Sequence, residues 1–250
     1  MILNIILKET ERKEKRKKKM KFEMKGDRDC PIAEIRLDGG ESVKIETGAM
    51  AYMQNIELKG RVNSRKKGIG SMLGAIGRSV TSGESLFVTH AYATGPDAFI
   101  GVAPAITGTI HRLECGERQY RLNTGAFLAS DESVSYAMRS QNLGKAIFGH
   151  TGGFFVMETE GEGDMLINAF GDLMVLEVTP DAPLTVDNEH VIAWDRSLDY
   201  HIRVASGMIG FTSGEGLVNT FTGNGHVIIQ TRNIRSLANA LSAFLPDNSN

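Results

Sequence analysis

A chain of 250 residues with 41% apolar and 23% charged residues can bury a substantial core, as one large domain or two smaller ones. Its formal net charge of −2 excludes a chain that is basic overall, as many nucleic-acid binders are. Two cysteines, Cys30 and Cys115, exclude a disulfide framework and an all-cysteine zinc site, and no apolar run reaches the ~18 residues of a membrane helix.

The first seven residues are apolar and a basic run to Lys19 follows them, the reverse of the order in a secretory signal. Residues 1–31 therefore read as a charged, solvated tail. From residue 32 the pattern changes to period two. Ile32-Ala33-Glu34-Ile35-Arg36-Leu37 and Val43-Lys44-Ile45-Glu46 put apolar side chains on one face and polar ones on the other, as half-buried antiparallel strands do. Residues 68–78 form an apolar, glycine-rich bridge containing Met72, Leu73 and Ile76. Tyr120-Arg121-Leu122-Asn123 alternates again. A second bridge covers residues 143–149, and Leu184-Thr185-Val186-Asp187 is a further strand. Residues 207–210 make a shorter third bridge, and 225–230 an apolar, uncharged last strand. Leu237, Ala240, Leu241 and Phe244 recur at helical spacing and predict one short amphipathic helix, ended by Pro246. With 28 glycines and turn residues about every ten positions, these elements predict an all-β fold, a compact β-sandwich or barrel with short helices in the bridges and at the C-terminus.

The same pattern returns along the chain. Gly108, Ile110, Leu113 and Glu114 match Gly171, Leu173, Leu176 and Glu177. Ala129, Asp131, Ser133, Val134 and Tyr136 match Ala193, Asp195, Ser197, Leu198 and Tyr200. Gly152, Val156, Gly161 and Gly163 match Gly214, Val218, Gly223 and Gly225. Thr47-Gly48-Ala49-Met50 resembles Thr124-Gly125-Ala126-Phe127. Three related antiparallel units follow, at about 32–107, 108–170 and 171–232, in a single β domain over 32–235 with a short helix and tail at 236–250. Trp194, the single tryptophan, aligns with Ala129 and Tyr52 and reads as a core or interface aromatic.

Chemical motifs are few. Gly68-x-Gly70-x-x-x-Gly74 has its third glycine one place late for a dinucleotide fingerprint, and no Gly-Lys-Ser/Thr follows for a phosphate loop. The six histidines, His90, His111, His150, His190, His201 and His226, form no pair at metal-ligand spacing. Ser82-Gly83-Glu84 and Ser213-Gly214-Glu215 could offer paired carboxylates. Their equivalent places before a strand fit turn chemistry better, with Ser bonding the backbone and Gly taking positive φ. Arg61, Arg65, Lys66 and Lys67 supply charge without stacking aromatics beside it.

One ordered set of motifs carries a family resemblance: residues 47–53 (TGAMAYM), Ser82-Gly83-Glu84-Ser85-Leu86-Phe87, Phe127-Leu128-Ala129-Ser130, Ser213-Gly214-Glu215-Gly216-Leu217-Val218 and Gly223-x-Gly225-x-Val227. Over about residues 32–235 the chain resembles the altered-inheritance-of-mitochondria 24 family. The resemblance implies a fold like that of the tryptophan RNA-binding attenuation protein, a sandwich of the double-stranded β-helix class, and carries over no catalytic residue. The expected function is a non-enzymatic assembly or scaffold protein without cofactor, in the cytoplasm, forming a closed homo-oligomer with a trimer favoured. Met72, Leu73 and Ile76 are the candidate contact segment toward a protein or membrane surface. The alternative is an RNA- or small-ligand-binding module of attenuation-protein-like fold, although nucleic acid is not the expected partner.

Overall fold

The computed structural model describes residues 19–26, 29–62, 87–123, 125–141, 154–204, 216–242 and 244–245. The fold is all-β. A first strand, β1 (Lys21–Lys25), precedes three successive sets of six. The first set is β2 (Ile32–Leu37), β3 (Ser42–Glu46), β4 (Met50–Gln54), β5 (Ile56–Val62), β6 (Phe87–Ala93) and β7 (Ala98–Val102). The second is β8 (Gly108–Cys115), β9 (Tyr120–Asn123), β10 (Phe127–Asp131), β11 (Val134–Gln141), β12 (Phe154–Gly161) and β13 (Gly163–Phe170). The third is β14 (Leu173–Val178), β15 (Leu184–Asp187), β16 (Val191–Asp195), β17 (Asp199–Val204), β18 (Leu217–Thr222) and β19 (Gly225–Gln230), followed by helix α1 (Ile234–Ser242).

All pairings between these strands are antiparallel, and each set uses the same four. The first strand pairs with the sixth, as β2–β7, β8–β13 and β14–β19. The third also pairs with the sixth, as β4–β7, β10–β13 and β16–β19, and each of these ladders is interrupted by a bulge, at Met50/Tyr52, Phe127/Ala129 and Val191/Ala193. The second and fourth strands flank the fifth, as β3–β6–β5, β9–β12–β11 and β15–β18–β17. Each set is thus two three-stranded sheets packed face to face. Ile35, Ile45 and Ile100 fill the first core, Tyr136, Met165 and Ile167 the second, and Trp194, Phe221 and Val227 the third.

Consecutive sets share sheets. β3 pairs with β10 and β9 with β16, so two six-stranded sheets form, β5-β6-β3-β10-β13-β8 and β11-β12-β9-β16-β19-β14. Two incomplete sheets remain at the ends: β1-β2-β7-β4 and β15-β18-β17. Among the described residues no sheet closes into a barrel, so of the two expected forms the sandwich holds. A closed barrel needs its two edge strands to meet, whereas the two six-stranded sheets each join halves of consecutive sets and the other two sheets stay within one set.

One further expectation is corrected, that of residues 1–31 as a solvated tail, and the expected C-terminal helix is present. The charged tail contains a strand: β1 runs along β2 with Phe22 opposite Ile35, and Met20 is buried in the first core. The last strand is not an edge, because β19 lies between β16 and β14; central position explains its apolar, uncharged sequence. The helix starts at Ile234 and buries none of its residues, so its apolar face at Leu237 and Leu241 lies open.

Candidate functional site

The chemistry of this chain concentrates where one set meets the next. At the first joint Ala129, Ser130 and Asp131 of β10 stand opposite Ile45, Lys44 and Val43 of β3. At the second, Ala193, Trp194 and Asp195 of β16 stand opposite Leu122, Arg121 and Tyr120 of β9. These third strands, FLASD and VIAWD, show no period-two pattern because both their faces are buried. Phe127 packs in the core of its own set and Leu128 in the core of the set before it. Trp194 and Ile192 divide in the same way between the third core and the second. The fifth strands reach in the other direction, Val88 into the second core and Val156 into the third.

A basic side chain fastens each joint. Lys44 Nζ donates to the backbone carbonyls of Glu132 at 3.0 Å and Val134 at 2.8 Å, and burial pulls its pKa down against the opposing charge of Glu132. His90 Nδ1 lies 2.6 Å from Glu132 Oε1. At the second joint Arg121 holds the equivalent position. Its Nη1 donates to the carbonyl of Leu198 at 3.0 Å, and its guanidinium lies over the Tyr200 ring. Arg121 Nε also meets the buried carboxylate of Glu158 at 3.1 Å, with Arg196 Nε at 3.2 Å and Arg139 Nη2 at 3.8 Å from the same group. Below the joints, Asp131 Oδ2 accepts the Asp164 backbone N–H at 2.7 Å while burial pushes its carboxyl pKa up. In the same place one set later, Asp195 Oδ2 accepts the His226 backbone N–H at 2.9 Å.

Glu158 therefore balances three guanidinium groups. Glu158→Ala is expected to cost about 2–3 kcal/mol, below the usual loss for breaking a buried ion pair because the arginines keep partial access to water. The deficit should shrink as salt screens the unbalanced arginines. Urea unfolding at low and high ionic strength measures both, and a salt-independent deficit would mean that lost packing, not charge, governs the site.

The two incomplete sheets end in the strands that make joints elsewhere. β4 is the third strand of its set, and Met53 is 43% exposed whereas Ser130 and Trp194, in the same register, are fully buried. β15 is the second strand of its set and, among the described residues, has no neighbour on the side where β3 and β9 carry β10 and β16. Trp194 proves to be a core residue; its place in the ladder is that of Ser130 and Met53, one beyond Ala129 and Tyr52, in keeping with the match of Ala129 to Ala193.

The turn motifs Ser82, Gly83, Glu84, Ser213, Gly214 and Glu215 and the contact segment Met72, Leu73 and Ile76 lie outside the described residues, as do the bridges expected to be helical. Among the described residues no group of three or more His, Cys, Asp or Glu side chains is placed to hold a metal ion. Burial pushes the Cys115 thiol up to about 11, so it is not a thiolate nucleophile near neutral pH. Sequence reasoning missed Lys44, Arg121 and Glu158. The available signal was a basic residue on the polar face of the second strand in two matching units.

The model of the mitochondrial biogenesis AIM24 family matches residues 22–232, from β1 to just past β19. The chain belongs to the AIM24 family. An uncharacterised protein of Streptococcus pyogenes serotype M6 is 46% identical over 235 residues, covering 93% of this chain and 94% of that protein. An X-ray crystal structure of a Streptococcus pyogenes protein matches with a TM-score of 0.75 and 42% identity, over 90% of this chain and all of that one. The AIM24 match thus spans all three strand sets and both joints.

Proposed function

We propose that this AIM24-family chain is a non-enzymatic assembly protein of the cytoplasm, a closed homo-oligomer that acts as a scaffold for a protein or membrane-surface partner. In this reading the three strand sets are copies of one attenuation-protein-like unit, and assembly continues outside the chain what the units do within it. One observation carries the reading: among the described residues, β4 and β15 are joint-forming strands left without a joint. Exposed sheet edges invite uncontrolled pairing unless they are covered, charged or closed. β4 contains neither charge nor proline, and β15 has a single acid, Asp187, at its end. Two different ends that fit each other make a head-to-tail contact, which gives a ring when the rotation closes. Three copies are the assembly to test first. Sedimentation equilibrium at micromolar concentration is expected to give a single species at a whole-number multiple, two or more, of 27.2 kDa. A species of one chain mass throughout would overturn the oligomer; a dimer would overturn only the number three.

A further inference from the structure

We infer that the strand completing β4 is β15 of a second copy of this chain, in the register Tyr52 opposite Val186, Met53 opposite Thr185 and Gln54 opposite Leu184. This rests on the oligomeric reading above and specifies its contact.

The register follows from the internal joints. Tyr52, Ala129 and Ala193 occupy one position, the first after the bulge, opposite Gly101, Leu166 and Ile228 of the sixth strand. Ile45, Leu122 and Val186 also occupy one position, opposite Thr89, Met157 and Asn219 of the fifth. Ala129 pairs with Ile45 and Ala193 with Leu122. The unfilled third instance is Tyr52 with Val186. Both ends carry the apolar side chains such a contact would bury. Leu128 and Ile192 are buried in the core of the preceding set, while Ala51, at their position, is exposed. Val88 and Val156 are buried in the core of the following set, while Val218, at theirs, is half-buried. The position that is buried twice and open once is open at the two ends that have no neighbouring set.

The contact between copies differs from the internal joints in charge. Thr185 stands where Lys44 and Arg121 stand, and its Oγ1 meets Thr220 Oγ1 at 3.0 Å. Asn55, in a left-handed conformation with φ 52, alone makes the turn after β4, so the chain there lacks the longer turns, of two and three residues, whose Glu132 and Arg196 meet His90 and Glu158. Backbone ladder bonds and Met50, Ala51, Met53 and Val218 would hold this joint without an ion pair across it. Salt should then leave association unchanged or strengthen it.

Cysteines at Met53→Cys and Thr185→Cys, in a Cys30→Ser background, test the register under mild oxidation. The double variant is expected to give a covalent ladder between chains that ends at the copy number found by sedimentation, and each single variant should stay uncrosslinked. A parallel pair, Tyr52→Cys with Val186→Cys, covers unfavourable disulfide geometry at one position. Val218→Lys is expected to give a one-chain species with an unchanged circular dichroism spectrum. If the unmodified protein is oligomeric but neither cysteine pair crosslinks and Val218→Lys stays assembled, this register is overturned while the oligomer stands. Crosslinking within one chain would show β4 closing on its own β15 and overturn the second copy. A monomeric unmodified protein would overturn the oligomeric reading as well.

Discussion

Trp194→Ala lowers the stability of the folded chain by about 3–5 kcal/mol, the usual range for removing a large buried aromatic side chain. Trp194 is fully buried in β16, with the Tyr200 ring centroid 4.9 Å and the Phe221 centroid 5.5 Å away, both edge-on. The three rings come from one strand of the shared sheet and two strands of the facing three-stranded sheet, so losing the indole empties the centre of the third core. The cost is not uniform over the side chain. The indole Nε1 is buried and finds no acceptor among the described residues, so Trp194→Phe deletes an unpaired donor together with part of the volume. It should cost less than half as much as the alanine. Thermal unfolding measures both, with a shift on the order of 10 °C expected for alanine in a chain of this size. Equal losses for Phe and Ala would show that the indole edge, not its bulk, holds the core. Met53→Ala, at the matching position of the first set, should hardly move the melting point of an isolated chain because its side chain is largely open.

This contrast between Met53 and Trp194 also explains how far the sequence could be read. Strands with one wet face were legible: 32–37, 120–123 and 184–187 fall where the alternation puts them, and 43–46 gains one residue as Ser42–Glu46. The third strands were not, because burial on both faces erases the alternation on which such a reading depends. Trp194 belongs with Ser130 and not with Ala129, as the match of Ala129 and Asp131 to Ala193 and Asp195 already required; the bulge sits at the same place in each ladder and leaves that spacing unchanged. β1 was hidden for a different reason. KFEMK carries three charges, and its place beside β2 comes from backbone pairing, to which composition is blind. The glycine motifs around residues 83 and 214 lie outside the described residues, whereas Gly161 and Gly223, matched by spacing, take equivalent corners with φ of 97° and 110°.

Those two corners look alike in sequence and differ in their tolerance of a side chain. Gly161 ends β12 opposite Val134, and its positive φ is a region that side chains other than glycine rarely enter. A Cβ at Gly161 would lie 2.2 Å from the backbone oxygen of Ser133, a clash that only a backbone shift can relieve. That shift is resisted from two sides: Ser133 Oγ donates to the carbonyl of Glu162 at 2.6 Å, and Gln119 Nε2 donates to the carbonyl of Gly161 at 2.8 Å. At Gly223 the matching oxygen, that of Ser197, is 3.8 Å from the added Cβ, and the nearest atom is the flexible Leu198 Cδ2 at 3.6 Å. Ser197 Oγ reaches the carbonyl of Asn224 at a longer 3.3 Å. Both sites carry the conformational cost of a side chain at positive φ, about 1–3 kcal/mol, and only Gly161 adds the backbone clash. Gly161→Val should therefore cost at least about 3 kcal/mol, and Gly223→Val about 1–3 kcal/mol. The first set supplies the natural control. Ala93 stands at this position opposite Ile56, and the turn after it is longer, with the left-handed conformation moved to Asp97 at φ 51. Transplanting that longer turn, residues 94–97, in place of Glu162 should let Gly161→Ala fold with most of the stability of the parent. Urea midpoints at constant m-value compare these variants. Equal costs at Gly161 and Gly223 would show that positive φ alone governs the corner and that the Ser133 contact is not limiting.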